Sequence, residues 1–140
     1  MGDIKRASVS WTGEGLNFTG TLGSGFTLPM GSPTGETQGS PMELLLAGVA
    51  GCTAVDIVST LQKMRQPIKG VRVEISGERA ETHPKVYTKA ALTYIVQGTG
   101  VTAASVERAI NLSKEKYCSA SVMFAQAGVE MSSSYRIEEG

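Results

Sequence analysis

The first thirty residues alternate between apolar and polar positions in short runs, a pattern that is typical of β-strands. The runs extend from Ala7 to Thr12, from Leu16 to Leu22 and from Phe26 to Leu28, and glycines lie between them. Glycine is common at the turns that join paired strands because it accepts positive φ angles. Residues 29–41, rich in Gly, Pro and small polar side chains, follow as a predicted loop.

The pattern then changes to a nearly continuous apolar run, which predicts a long helix. Ser40 is a typical N-cap residue and Pro41 fits the first helical turn, while Pro67 ends the pattern after Arg65. A helix that is apolar nearly all round is expected to be buried. Its length would also fit a membrane span, but Asp56 would then lie in hydrocarbon at a cost of about 3 kcal/mol. We therefore interpret the segment as a buried central helix and expect no membrane contact.

The second half of the chain returns to alternation and then to helical spacing. Residues 70–81 and 85–97 alternate as two strands, and Thr102 is expected to cap a helix with Val106, Ile110, Ser113 and Tyr117 on one stripe. Residues 119–128 predict a short helix or turn, and residues 129–138 predict a last strand. This order indicates an α+β fold in a single domain of residues 1–140, without the repeated βαβ pattern of a doubly wound sheet.

Composition and charge exclude several functional classes. The 140 residues include 13 basic and 13 acidic side chains, so no basic footprint for nucleic acid is present. The N-terminal sequence lacks the apolar stretch of a secretory signal, and we expect a cytoplasmic protein. A single histidine, His83, cannot form a multi-histidine metal site within one chain, and we expect no metal and no cofactor. Its position before Pro84 predicts a surface turn, although pairing with a cysteine is an alternative.

Two cysteines, Cys52 and Cys118, are the candidate chemistry of the chain. Buried cysteines are often inert core residues, and that interpretation stays open. A reactive thiol needs a stabilised thiolate that substrate can reach. Asp56 lies one helical turn after Cys52 and would oppose its thiolate if ionised. Cys118 is better placed if it opens the short helix, because the positive end of the helix dipole would favour its thiolate.

Two sequence motifs around these cysteines resemble those of a known family. "GSPMELLLAGVAGC" is similar to the segment with which the OsmC/Ohr family of thiol-dependent organic hydroperoxide reductases opens its long helix, and "NLSKEKYCSAS" is similar to its second cysteine motif. The resemblance extends from about Ile4 to Ile137. It implies an OsmC-like fold, with antiparallel strands around a long central helix, and an intertwined homodimer whose central helices pack together.

The resemblance also implies a mechanism. Cys52 would attack the O–O bond of a small organic peroxide and become a sulfenic acid. Cys118 would condense with it to a disulfide, and an external dithiol would then reduce the disulfide. An apolar mouth would select organic peroxides, and the alternative interpretation for each candidate is an ordinary core residue. The candidate lining residues are Phe18, Phe26, Met42 and Phe124.

The chain departs from the family pattern at two positions. Met42 occupies the place of the glutamate that usually follows the helix-opening proline, and Glu43 lies half a turn around the helix from Cys52. No arginine or lysine occurs between Ala7 and Glu36, where the family carries an arginine that holds the thiolate. Two functions are therefore the main hypotheses: a two-cysteine peroxidase, or a non-catalytic dimer that binds a small apolar or thiol-reactive ligand or senses redox state. A thiol transferase and an interaction module are further alternatives.

Overall fold

The computed structural model describes residues 2–140 and has an α+β architecture of two three-stranded sheets and several helices. The chain divides into two compact units, the first ending at Leu45 and the second beginning at Leu46. The prediction of a single domain stays a prediction. In chain order the elements are β1 (Ala7–Trp11), β2 (Leu16–Leu22), β3 (Thr27–Ser32), α1 (Pro41–Lys63), β4 (Gly70–Arg79), β5 (Tyr87–Gln97), α2 (Ala103–Leu112), a π-helical turn (Ser113–Tyr117), α3 (Ser119–Gln126) and β6 (Glu130–Glu138).

The first unit contains an antiparallel meander in the order β1–β2–β3. The predicted bounds of β1 and β2 are confirmed to within one residue. Strand β3 begins one residue later and ends four residues later than the alternation predicted. Pro29 and Gly31 lie inside it, and both are rare in strand interiors, so the sequence pattern did not show its full length.

Helix α1 begins with a capping box. The Ser40 hydroxyl accepts from the Glu43 backbone N–H at 3.1 Å, and the Glu43 carboxylate accepts from the Ser40 N–H at 2.9 Å. This confirms the predicted helix start and gives Glu43 a structural role. The helix ends at Lys63, two residues before the predicted end at Arg65. Arg65 has a positive φ of 58°, which is not a helical conformation.

Within one chain, α1 is buried along a single face. Its buried residues, Val49, Thr53, Ile57 and Leu61, are spaced four apart and form one stripe. Other apolar side chains of α1 are accessible to solvent; Val55, for example, is 70% exposed. By length and composition α1 is the one helix of residues 2–140 that could cross a membrane, and Ile57 and Leu61 on its buried face belong to the hydrophobic core. The predicted all-round burial does not occur within a single chain.

The second sheet has the order β4–β5–β6. β4 pairs antiparallel with β5, as predicted, but β6 pairs parallel to β5, so the prediction of antiparallel strands is wrong for this last strand. The connection through α2 and α3 is long enough for the crossover that a parallel neighbour requires. The core lies between this sheet, α1 and α2, and comprises Ile57, Leu61, Leu92, Tyr94, Val96, Val106, Ala109 and Ile110.

The predicted stripe on α2 is correct for three residues and wrong for the fourth. Val106, Ile110 and Ser113 are buried, whereas Tyr117 is 51% exposed. The segment from Ser113 to Tyr117 winds as a π-helical turn, which has more residues per turn than an α-helix and so carries Tyr117 off the stripe.

Candidate functional site

The fold brings the two thiols together. Cys52 lies near the middle of α1, and Cys118 lies at the N-cap of α3. Their Sγ atoms and a carboxylate oxygen of Asp56 all lie within 4.8 Å of one another. Both cysteines are free thiols; Cys52 is half-buried, and Cys118 is only 1% exposed. The site therefore contains two adjacent thiols of unequal accessibility beside one carboxylate.

The π-helical turn determines where Cys118 lies. The Cys118 backbone N–H donates to the Ser113 carbonyl at 2.8 Å and closes this turn after α2. Ser113 itself is fully buried, and its hydroxyl lies 2.9 Å from that of Thr53 on the buried stripe of α1. The π-helical turn thus places the Ser113 side chain against α1 and places Cys118 at the start of α3.

A chain of hydroxyl groups supports the Asp56 carboxylate. The Ser113 hydroxyl donates to Asp56 Oδ2 at 2.9 Å. Because that hydroxyl has a single hydrogen, Thr53 must be the donor in the Thr53–Ser113 hydrogen bond. By the same argument, the Tyr94 hydroxyl donates to Thr53 across 3.5 Å. The chain therefore runs from Tyr94 to Asp56, with every hydrogen directed towards the carboxylate.

Burial raises the pKa of the Cys118 thiol, and the neighbouring Cys52 thiol adds to this increase. Hydrogen bonds from Ser121 act in the opposite direction, and its backbone N–H lies 3.4 Å from Cys118 Sγ. The expected position at the helix start is confirmed, and the helix-start amide lowers the pKa as expected, but burial raises the pKa by more. Loss of hydration outweighs one helix N-terminal amide. Burial likewise raises the pKa of Tyr94.

An apolar cavity of about 290 Å³ lies beside this site. Tyr94 of the hydroxyl chain and Ser121, which contacts Cys118, both line it, together with residues of α3 and β6. None of the four residues proposed for an apolar mouth lines this cavity. Phe124 instead stacks on Tyr87, with 5.9 Å between the ring centroids, and Phe26 is exposed.

No described ion pair within 4 Å involves Asp56 in residues 2–140. Lys63 and Arg108 line a second cavity, of about 360 Å³, together with Asp56. His83 is exposed in the β4–β5 connection, as predicted for a turn, and is not part of the Cys52–Asp56–Cys118 cluster. Asp56 was noted from the sequence, whereas Thr53, Tyr94, Ser113 and Ser121 were not identified as members of the site.

The sequence and the fold are similar to those of a known protein family and of solved structures. Residues 34–134 match the family described as OsmC-like protein. The Escherichia coli protein YhfA is 41% identical over 132 residues, which cover 94% of this chain and 97% of YhfA. The name YhfA states no activity.

Two solved structures are similar over nearly their whole length. A hypothetical protein from Aquifex aeolicus superimposes with a TM-score of 0.82 at 31% identity, covering 97% of this chain and 98% of that one. An organic hydroperoxide resistance protein OsmC from Legionella pneumophila superimposes with a TM-score of 0.70 at 19% identity, covering 95% and 96%. At 19% identity, the comparison with the Legionella structure shows a similar fold and nothing about activity.

Proposed function

The chain belongs to the OsmC-like protein family, and from this premise we propose that it reduces organic hydroperoxides with its two thiols. The observation that carries the proposal is the approach of Cys52 and Cys118 Sγ to within 4.8 Å, although the residues are far apart in sequence. The name of the Legionella protein, organic hydroperoxide resistance protein, supports the substrate class.

In the proposed reaction, the Cys52 thiolate attacks the terminal peroxide oxygen and the O–O bond breaks. Cys52 becomes a sulfenic acid, and the alkoxide takes a proton and leaves as an alcohol. The Cys118 thiol then attacks the sulfenic sulfur, a disulfide forms and water leaves. An external dithiol reduces the disulfide by exchange, which restores both thiols and oxidises the dithiol.

Accessibility supports this division of roles. The attacking thiol must meet a peroxide that arrives from solvent, and Cys52 is the less buried of the two. Cys118 is buried, so its thiol is protected until the sulfenic acid forms beside it. In a disulfide the two sulfurs are about 2.05 Å apart. The two free thiols, now within 4.8 Å of each other, must therefore move closer together before the bond can form.

One observation favours the second candidate function, a dimer that senses redox state or binds a thiol-reactive ligand without efficient turnover. The neighbour of the thiols is the Asp56 carboxylate, whereas the family pattern has an arginine to hold the thiolate. A carboxylate beside a thiol disfavours a second negative charge. Slow oxidation by peroxide, without a catalytic cycle, would fit this alternative.

The proposal includes a cytoplasmic homodimer. Large apolar side chains are exposed on both units of the single chain, including Trp11, Phe26 and Val55. A second copy would cover such a surface. Two adjacent free thiols at a reactive site also suit a reducing compartment.

The test is intact mass spectrometry after one equivalent of an alkyl hydroperoxide, on wild type, Cys52→Ser and Cys118→Ser. Wild type should lose two hydrogens through a Cys52–Cys118 disulfide. Cys118→Ser should gain one oxygen at Cys52 that a sulfenic-acid reagent traps, and Cys52→Ser should leave peroxide unconsumed.

Steady-state consumption of the peroxide with a dithiol separates the two candidate functions. Repeated turnover supports the peroxidase, and a single oxidation without turnover supports the sensor. Wild-type thiols that remain reduced while an alkylating reagent modifies them would contradict the peroxidase and the redox sensor, and would leave only ligand binding. Ser119→Ala, at an exposed position beside Cys118, is the matched control and should behave as wild type.

A further inference from the structure

Cys52, Asp56 and Cys118 together offer the donor set of a metal site. Cys52 and Asp56 are four residues apart on α1, a spacing that places both side chains on one face, and Cys118 approaches from the start of α3. One ligand atom from each residue lies within 4.8 Å of the other two. Thiolate sulfur and carboxylate oxygen are both common ligands of Zn²⁺. We propose that the reduced protein binds one Zn²⁺ per chain through these three residues.

The separation of the two sulfurs, within 4.8 Å, is compatible with a shared zinc ion. Tetrahedral Zn²⁺ with bonds of about 2.3 Å to sulfur holds two sulfurs about 3.8 Å apart. From a separation within 4.8 Å, the two sulfurs need to approach by no more than about 1 Å. Side-chain rotation can supply such a movement, since Cys52 and Asp56 are only half-buried. Three protein ligands leave the fourth position for water or an external thiol.

The hydroxyl chain is arranged as outer support for the carboxylate ligand. Ser113 donates to Asp56 Oδ2 at 2.9 Å and is itself held by Thr53. A carboxylate with one oxygen engaged in this way keeps lone pairs for an ion. Hydrogen bonds of this kind orient metal ligands in many sites and affect affinity without contacting the ion.

Charge also favours a cation here. No described cationic side chain lies within 4 Å of Asp56 in residues 2–140. When Zn²⁺ binds, both thiols release their protons to solvent, and the ion with two thiolates and one carboxylate carries one net negative charge. Lys63 and Arg108 line the cavity next to Asp56 and would offset that charge. From the sequence we expected no metal because the chain has a single histidine. That argument did not take the Cys52–Asp56–Cys118 cluster into account.

Zinc binding and disulfide formation exclude each other, because both use the same two sulfurs. Reduced protein should bind the ion, and oxidised protein should not. The inference does not depend on peroxidase activity, since any reagent that forms the Cys52–Cys118 disulfide would abolish binding.

The experiment is a Zn²⁺ titration of the reduced full-length protein in competition with a chromophoric chelator. Wild type should bind one ion per chain. Ser113→Ala removes only the outer support and should lower the Zn²⁺ affinity by about 10- to 100-fold. Loss of a ligand should lower the affinity by more than this in each of three variants, Cys52→Ser, Cys118→Ser and Asp56→Asn. Glu107→Gln changes an exposed carboxylate of α2 and should leave the affinity unchanged. An Asp56→Asn affinity equal to that of wild type would overturn the proposal.

A measurement on wild type avoids dependence on the folding of any variant. X-ray absorption of the zinc-loaded protein should show two sulfur neighbours at about 2.3 Å and lighter neighbours at about 2.0 Å. A shell of four sulfurs, or one without sulfur, would contradict the proposed ligands. Peroxide turnover is measured on metal-free protein, so loss of one activity is distinguishable from loss of the other.

Discussion

Cys118 shows two opposing effects on one thiol. Its position as N-cap gives it the Ser121 backbone N–H, which lowers the pKa, while burial raises the pKa by more. The sequence predicted the first effect because a helix start is a local pattern. Burial depends on how α3 packs and could not be read from the same residues.

Tyr94 provides a pH test at the same scale. Its pKa is raised above the ordinary 10.0, chiefly by burial. As pH rises past the pKa of the unfolded state, the unfolded chain releases the phenolic proton while the folded chain keeps it, so unfolding becomes more favourable. We expect the Tm of wild type to fall more steeply than that of Tyr94→Phe between about pH 9 and pH 11.

The matched control is Tyr117→Phe, which removes an exposed hydroxyl. Its Tm should follow the wild-type curve over the same pH range. Equal slopes for wild type and Tyr94→Phe would show that Tyr94 ionises as readily in the folded state as in the unfolded chain.

At the scale of elements, the capping box allows a prediction for α1. Ser40→Ala removes the hydroxyl that accepts from the Glu43 N–H, and the free energy of unfolding should fall by about 1 kcal/mol. Glu43→Ala should also destabilise the helix start, whereas Glu36→Ala, in the preceding loop, should have little effect. Thermal denaturation measures all three variants.

If Glu43 acted in catalysis, its loss would reduce peroxide consumption by the folded protein. We expect folded Glu43→Ala to react with peroxide as wild type does, because Glu43 binds the backbone of Ser40. A large loss of reactivity at unchanged stability would contradict the capping role.

The local sequence pattern predicted most of the helices and strands. It failed where the conformation depends on contacts with residues that are distant in sequence. Ser40, Pro41 and Pro67 mark the ends of α1, and the alternation of β4 matches its burial, whereas residues 94–96 of β5 are buried in succession. The parallel pairing of β6 was missed because alternation carries no strand direction. The π-helical turn was missed because residues 113–117 continue a helical pattern without a break.

At the scale of the whole molecule, the proposed homodimer can be tested at Gly51. A Cβ at Gly51 would meet nothing within 4 Å in the single chain. Gly51→Leu should therefore leave the single chain intact, yet overpacking against a second chain would cost about 1–3 kcal/mol. We expect light scattering to show a shift from dimer to monomer.

Glu107→Leu adds the same apolar side chain at an exposed position of α2 and should remain dimeric. A wild-type protein that is a folded monomer at micromolar concentration would contradict the dimer itself. A Gly51→Leu dimer of unchanged stability would show that Gly51 has no close partner.

The site was predictable only in part at this scale. The resemblance identified Cys52 and Cys118 as a pair, and the fold brings them together. The hydroxyl chain was not predicted, because Thr53, Tyr94 and Ser113 come from separate elements and each also fits an ordinary core position. Asp56 is the one charged residue between Glu43 and Lys63, and its position in an apolar helix was a local signal that a polar partner lies nearby.

The buried stripe of α1 has a consequence for how the sequence can vary. Val49, Ile57 and Leu61 are constrained by the core of their own chain, so substitutions there act on folding at any protein concentration. Positions such as Gly51 and Val55 face outward and are constrained only by what covers them. Tolerance to substitution along this one helix should therefore alternate with its period. Residues of the buried stripe are required by each chain, and outward-facing residues would be required only by the proposed homodimer.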